Sequence, residues 1–329
     1  MDRRLKIGLF GFGTVGQGFY QILQEQQLPL EVHRICVRNP HKERPAPQEL
    51  LTCEARDILE DPEIDLVVEA ISETEPAFSI VRESLLRWLP VVSASKKMLA
   101  LHLPELLALQ QETSTPLRYE GAVGGAIPIL HLLDEPLRHE PVLSLRAILN
   151  GTSNYILSQM RQQGWSYAHA LQEAQRLGFA EADPAADVEG YDPCYKLSLL
   201  ALHAFGTALA PADITRTGIT GISAGQIREA EAQGRRIKLI ARLQRDAGGS
   251  LQASVGPEWL EPDDALWGIE QELNGVEVAL KYSGPQLFTG RGAGARPTGT
   301  AVLSDVLKLM EGRAYAYPKQ EKRHPIVVA

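Results

Sequence analysis

The stretch Leu5–Gln26, LKIGLFGFGTVGQGFYQILQEQ, decides how the chain is read. Its first six residues, LKIGLF, form an apolar run of the kind found in a buried parallel strand. Glycines then stand at Gly11, Gly13 and Gly16, and apolar residues recur at helical spacing over Val15–Gln26. A GxGxxG pattern alone says little; between a strand and a helix it acquires a physical meaning. Gly11 admits the tight turn, Gly13 the close approach of a pyrophosphate, and Gly16 the packing of helix on sheet. The amides of Thr14 and Val15, next to Phe12 in the same loop, face the phosphates at the helix N-terminus. The loop is thus a candidate dinucleotide site formed by Gly11, Phe12, Gly13, Thr14, Val15 and Gly16.

Outward from this loop the alternation continues. Glu31–Arg38, Asp65–Ile71, Leu89–Ser95 and Leu117–Val123 read as strands. Pro76–Trp88 and Pro104–Glu112 read as helices, the latter beginning at a proline, where a missing N–H is tolerated. The pattern predicts an α/β, Rossmann-type doubly wound parallel sheet over residues 1–130. After that the rhythm changes. Leu143–Asn150 is strand-like, Gly151–Gln163 and Tyr167–Gly178 are consecutive helices, and Asp192–Leu209 is a longer apolar helix. RRIKLIARLQR and VEVALKYSG read as strands. Residues 131–295 are expected to form a second α+β domain for substrate and dimerisation. Residues 296–329 supply a helix, Thr298–Glu311, that returns to the first domain, and a tail. Strands after about residue 235 would extend a sheet across a two-fold axis, so a homodimer is expected.

Composition excludes several classes. The 329 residues carry a formal net charge of −8, without the basic stripe of a nucleic-acid binder. No stretch approaches the ~18 apolar residues of a membrane span. The cysteines, Cys36, Cys53 and Cys194, are scattered without metal-ligand or CxxC spacing, and a cytoplasmic location is expected.

Two further features carry chemistry. The acidic residue that reads the ribose 2′-OH of NAD at the end of the second strand is missing; Arg38 stands there, with Lys42 and Arg44 nearby, which favours the 2′-phosphate of NADP, NAD being the alternative. Lys96 and Lys97 follow the fifth strand at the end of the sheet where ligands bind. The second feature is Glu181–Lys196, EADPAADVEGYDPCYK, with five carboxylates and one closing lysine. Its spacing does not fit the twelve-residue loop of a calcium-binding EF-hand. Asp192 and Lys196 share one helical face at the head of an apolar helix. Burial and a neighbouring cation such as Lys96 would lower the pKa of Lys196 and suit it to proton transfer, with Asp192 orienting it. Glu181 and Asp187 would hold a cationic substrate group such as an amine.

Taken together, these segments resemble homoserine dehydrogenase. The resemblance rests on Gly11–Gly16, NGTSNYIL (Asn150–Leu157), AQRLGFAEADPAADVEGYDPCYK (Ala174–Lys196) and GRGAGARPTGTAVLSD (Gly290–Asp305). It implies reversible, nicotinamide-dependent hydride transfer between L-homoserine and L-aspartate 4-semialdehyde, in threonine, methionine and isoleucine biosynthesis. It implies an acid/base role for Lys196, cofactor and substrate contacts for Lys96, a substrate-binding Glu181, an Asp192 near the reacting group, and a cofactor contact at Gly294. Backbone amides near Gly151–Ser153, including Gly151 and Thr152, and a lysine would hold the carboxylate of such a substrate. It also implies a structural sodium ion held by the main-chain oxygens of Glu120, Val123, Gly125 and Ile127. Three departures stand out. Ser72 and Glu73 occupy positions where the family carries glycines, Ser95 replaces an asparagine, and the chain length leaves no room for an appended regulatory domain, so little feedback inhibition by threonine is expected. A dehydrogenase for another small amino acid or aldehyde, and a silent NADP-binding sensor, remain as alternatives.

Overall fold

The structure, a computed structural model, describes residues 4–319. The first half runs β1 (Leu5–Phe10), α1 (Thr14–Glu25), β2 (Leu30–Cys36), β3 (Leu51–Thr52), α2 (Arg56–Leu59), β4 (Leu66–Glu69), α3 (Thr74–Leu86), β5 (Val91–Ser93), α4 (Lys96–Thr113) and β6 (Leu117–Arg118). All pairings in this sheet are parallel, in the order β3-β2-β1-β4-β5-β6. The direction of winding reverses between β1 and β4, so a crevice opens at their carboxyl ends. This is the doubly wound sheet expected from the glycine loop.

The chain continues through α5 (Ile129–Asp134), β7 (Val142–Ile148), α6 (Gly151–Gln163), α7 (Tyr167–Arg176), α8 (Ala185–Val188), α9 (Tyr191–Phe205), β8 (Thr215–Arg216) and α10 (Ala224–Ala232). It closes with β9 (Arg236–Arg245), β10 (Leu251–Leu260), β11 (Leu273–Leu280), β12 (Gly284–Arg291) and α11 (Ala295–Met310). The second sheet, β12-β11-β7-β9-β10-β8, is antiparallel except where β8 joins β10.

The helix that organises the site is α9. It is buried on nearly every side, from Pro193 and Cys194 to Ala204 and Phe205, as an all-round apolar helix must be. It packs against α4 on one side and against β7, β9 and β10 on the other. Gly206 in the left-handed region ends it after Phe205, four residues short of the Leu209 end expected from the sequence. The core beneath it joins both sheets, from Val67 and Val91 through Leu106 and Leu199 to Leu239 and Val276. A second core lies between the parallel sheet and the pair α1 and α11, with Phe19, Ile35, Val302 and Val306 at its centre. There a Cβ on Gly18 would stand 2.1 Å from the Ala295 carbonyl oxygen, so the two helices touch backbone to backbone.

Two expectations need correction, and the start of the tail proves to be packed. The helix expected to begin at Pro104 begins at Lys96 and carries Pro104 inside it. Burial of Met98, Leu99, Leu103 and Leu106 along one continuous segment outweighs the one main-chain hydrogen bond a proline forfeits. The expected strand Leu117–Val123 stops at Arg118, because the Glu120 side chain turns inward and accepts the amides of Leu130 (3.0 Å) and His131 (2.7 Å). The segment after Gly312 is packed up to its last described residues. Tyr315 and Tyr317 lie against His203 in the core, and Asp134 accepts the Ala316 and Tyr317 amides. Residues 320–329 of the expected tail lie outside the described residues.

Candidate active site

The glycine loop sits over the reversal point of the first sheet. Gly11 has φ +89°, and a Cβ there would meet the Ala70 carbonyl oxygen at 2.4 Å, so β1 and the end of β4 close on each other at this residue. At Gly13 a Cβ would meet nothing within 4 Å. That open space lies at the N-terminus of α1, and no side chain caps it. The positive end of a twelve-residue helix therefore faces open space with no side chain capping it, which suits a dinucleotide's pyrophosphate. Thr14 and Val15 border this space, whereas the side chain of Phe12 does not. It is buried, edge-on to Tyr20 at 5.6 Å, and only its backbone is left to the loop. The Phe12 carbonyl accepts from Gln17 Nε2 at 2.9 Å. Gly16 is tight against the Gly11 carbonyl, which seats α1 on the sheet. Gly294, with φ +120°, heads α11 and turns that helix onto α1.

The lysine cluster lies at the heads of α4 and α9. Asp192 is 2 % exposed, and its Oδ2 accepts from Lys196 Nζ at 2.8 Å and from Asn150 Nδ2 at 2.9 Å. Its other oxygen forms an ion pair with Lys96. Lys196, 5 % exposed, also donates to the Leu149 carbonyl at 2.6 Å. Burial lowers the Lys196 pKa below the ordinary lysine value; Asp192 opposes this and Lys96 adds to it. For Lys96, whose side chain is 44 % exposed, burial also acts downward, but Asp192, then Asp187 and Glu181, hold the ammonium above the ordinary value. Asp192 itself, pushed up by burial, is held well below the carboxylate range by the two lysines. One carboxylate is thus locked in its charged form between two cations of unlike proton affinity. Lys97 is exposed on the other side of the helix turn.

Asp187 accepts from Asn150 Nδ2 at 2.7 Å, and burial raises its pKa. Glu181 is exposed, yet near enough for its charge to bear on Lys96. Gly151 opens α6, where a Cβ would stand 2.6 Å from the Glu272 carbonyl oxygen. The expectation of free amides over Gly151–Ser153 is corrected at Ser153. The Ser153 amide already donates to Asn150 Oδ1 at 2.8 Å, capping α6, and the Thr152 hydroxyl donates to the Phe179 carbonyl at 2.7 Å. Only the first amides of α6 are left for a ligand.

Two site residues escape a reading of the sequence. Asn150 looks like the last residue of a strand, but it caps α6 and bridges Asp187 and Asp192, 37 and 42 residues further on. Glu69, fully buried at the end of β4, takes the Ile71 amide at 2.6 Å and the Ser93 hydroxyl at 2.5 Å. Its Oε1 lies 2.7 Å from the hydroxyl of Ser95, which also reaches the Ile71 carbonyl. Ser95 immediately precedes Lys96, so Glu69 braces the turn that presents the lysine. At the far rim, Arg38 is paired with Glu73 at 2.8 Å.

A glycine loop open at the reversal of a doubly wound sheet, together with a buried Asp192–Lys196 pair that Lys96 joins from the rim, marks a nicotinamide-dependent oxidoreductase. Family models place it further. One described as "Homoserine dehydrogenase, NAD binding domain" matches residues 11–120, and "Homoserine dehydrogenase" matches residues 128–307. A homoserine dehydrogenase of Synechocystis is 39 % identical, over 93 % of this chain and 73 % of its own length. The crystal structure of a homoserine dehydrogenase from Thiobacillus denitrificans superposes with a TM-score of 0.91 at 35 % identity, covering 98 % of this chain and 79 % of that one. A hyperthermophilic archaeal homoserine dehydrogenase, solved in complex with NADPH, has a TM-score of 0.81 at 25 % identity, covering 94 % of this chain and 99 % of that one. The chain belongs to the homoserine dehydrogenase family and interconverts L-homoserine and L-aspartate 4-semialdehyde with a nicotinamide cofactor.

Proposed function

We propose that Lys196 is the acid/base group of this reaction, with Asp192 and Lys96 as its electrostatic partners. The observation that carries the reading is the buried Lys196–Asp192 pair, joined by the half-exposed Lys96 at the junction of α4 and α9. In the reducing direction Lys196 gives a proton to the oxygen of the aldehyde as it becomes an alkoxide, and in the oxidising direction it takes the proton back. The nicotinamide, when bound, supplies or accepts the hydride. The cluster's two cations outnumber its one carboxylate, so it favours negative charge developing on that oxygen. Glu181 and Asp187 hold the substrate ammonium, and the first amides of α6, at Gly151 and Thr152, its carboxylate. Lys196→Ala tests the assignment. Turnover should fall by ~10²–10⁴ while circular dichroism and cofactor binding are retained; a folded variant with unchanged turnover removes Lys196 from the mechanism.

The finer points of the reading follow. The cofactor lies along Gly11–Gly16 and the Gly294 turn, with Arg38 at the adenosine ribose. NADP is the preferred form, in keeping with that arginine and with the NADPH bound by the archaeal relative. The substrate half extends over residues 131–295 and α11 returns to the cofactor half. The main-chain oxygens of Glu120, Val123, Gly125 and Ile127 hold a sodium ion that is structural. This fits a buried, irregular turn in which no amide among the described residues donates to the Val123 or Gly125 carbonyl, while those of Glu120 and Ile127 each accept one bond. The protein acts as a cytoplasmic homodimer and supplies homoserine toward threonine, isoleucine and methionine. No helix among the described residues is long and apolar enough to cross a membrane.

A further inference from the structure

We propose that Glu73 is a specificity-determining residue that restrains Arg38 and narrows the preference between NADP and NAD. This rests on the reading of Arg38 as the group that meets the adenosine ribose. The argument begins with the sheet order. β2 and β4 flank β1, so Arg38, two residues past β2, and Glu73, four past β4, stand on opposite sides of the glycine loop. Their side chains meet across it at 2.8 Å. Arg38 is 88 % exposed and has no carboxylate partner other than Glu73 among the described ion pairs. Glu73 occupies the N-cap position of α3 with extended backbone (φ −83°, ψ 129°), yet its side chain caps no amide and reaches Arg38 instead. Among the described ion pairs and side-chain hydrogen bonds, the Glu73 carboxylate is held by this pairing.

The consequence is chemical. A guanidinium at a ribose favours a 2′-phosphate through charge and a forked pair of N–H donors. A carboxylate beside it occupies one of those donors and adds a repulsion toward the phosphate dianion. The same carboxylate suits an unmodified ribose, because its second oxygen is free to accept from a hydroxyl. The acid that reads a ribose hydroxyl ordinarily stands at the tip of the second strand; here it arrives from the β4–α3 turn. With both residues present, the site accepts either cofactor and discriminates weakly.

The test is titration of purified protein with NADPH and NADH by nicotinamide fluorescence, without substrate, for the unaltered chain, Glu73→Gln and Arg38→Gln. Both positions lie on the surface, and melting curves check that each variant folds. Glu73→Gln should bind NADPH about five- to tenfold more tightly, as expected for removing one charge near a dianion in a screened, water-exposed site. Its affinity for NADH should stay within about threefold or weaken, and the gain for NADPH should shrink in high salt. Arg38→Gln should weaken NADPH at least tenfold. If Arg38→Gln weakens NADPH but Glu73→Gln leaves it unchanged or weaker, the restraining role is overturned and the Arg38 reading stands. If Arg38→Gln leaves NADPH binding unchanged, the Arg38 reading fails and the role of Glu73 fails with it.

Discussion

Replacing Asp192 by asparagine probes the electrostatics of the site most directly. The carboxylate is buried and meets the Lys196 ammonium at 2.8 Å. At a charge separation near 4 Å and an effective dielectric of ~20, the attraction lost is about 4 kcal/mol. Asparagine keeps an acceptor oxygen, and Lys196 keeps its bond to the Leu149 carbonyl, so we assign about half of that figure to the variant. A net loss of ~2 kcal/mol is about thirtyfold in the proton affinity of Lys196. Its direction is downward, because Asp192 is the group that opposes burial and Lys96 in lowering the lysine. The assay is kcat for homoserine oxidation against pH, followed by nicotinamide absorbance at saturating cofactor and substrate. With neutral Lys196 as the proposed base in that direction, turnover of the unaltered enzyme should climb with pH and then level. In Asp192→Asn the climb should come earlier, by more than about one pH unit, and the plateau should be lower because the base has lost its orienting partner. In the reducing direction the ammonium is required, so the variant should lose activity at lower pH than the parent. A folded variant whose profile stays in place, or moves toward higher pH, refutes the assignment of Lys196 as the titrating group.

Three further outcomes are expected. Gly13→Val should leave the melting temperature nearly unchanged, since a side chain there meets open space, yet weaken NADPH and NADH alike by at least tenfold; tight binding by the variant would show that the pyrophosphate lies elsewhere. Gly18→Ala places a methyl 2.1 Å from the Ala295 carbonyl oxygen and should cost about 1–3 kcal/mol in urea unfolding as α1 and α11 separate; equal stability would mean the helices part without loss. Burial, then Arg118 and His131, push the His203 pKa down to about 3, below the ~6.5 of an unfolded histidine. A base depressed in this way favours the fold fully above ~6.5 and loses that contribution as pH falls toward 3, by at most about 3 kcal/mol at pH 4. His203→Gln, which retains a partner for the Tyr119 hydroxyl 2.9 Å away, should therefore flatten the acid side of the stability profile, and an equally steep acid loss would rule out His203 as its source.

The parallel sheet was legible because its strands are short apolar runs and its first turn needs three glycines. The second sheet was legible only in part. β9 and β11 read as strands, whereas β10 contains the pair Gly256–Pro257 and β12 opens on Gly284–Pro285, which mask their extended pattern. Both are held in the sheet by full antiparallel registers with their neighbours, a tertiary cause that no local window contains. Pro104 misled for the same reason: it resembles a helix start, and only the packing of α4 under α9 explains why the helix runs through it. At the site, Asp192 and Lys196 were legible because four residues along a helix bring them together, and the structure brings Lys96 to the same carboxylate. Asn150 was not, since its two carboxylate partners follow a turn and two further helices. The corner beyond β2 shows the reach of tertiary structure in a different way. The tip of β2 has no acid, but Glu73 reaches it from the next strand over, so absence along the chain did not mean absence in space.

The placement of charge gives the proposed chemistry its internal logic. Burying a lysine and a carboxylate is costly unless they pair, and breaking a buried pair by removing one partner commonly costs ~3–5 kcal/mol. Here Asp192 satisfies both lysines, Asn150 fixes the carboxylate, and the Leu149 carbonyl takes the remaining bond of Lys196. The cluster is then stable with one net positive charge at its centre, while Glu181 and Asp187 place negative charge toward its rim. That polarity matches an amino acid whose ammonium stays outside and whose far oxygen becomes an alkoxide inside. It also explains why the two lysines are unequal. Lys96, more exposed and held in its charged form, suits the proposed role of a fixed charge, whereas Lys196, enclosed and pushed toward neutrality, suits that of the group that gives up a proton and regains it. Because Lys96 heads a helix of the first sheet and Lys196 a helix packed on the second, this inequality exists only when the two halves are docked, and α9 is the element that joins them.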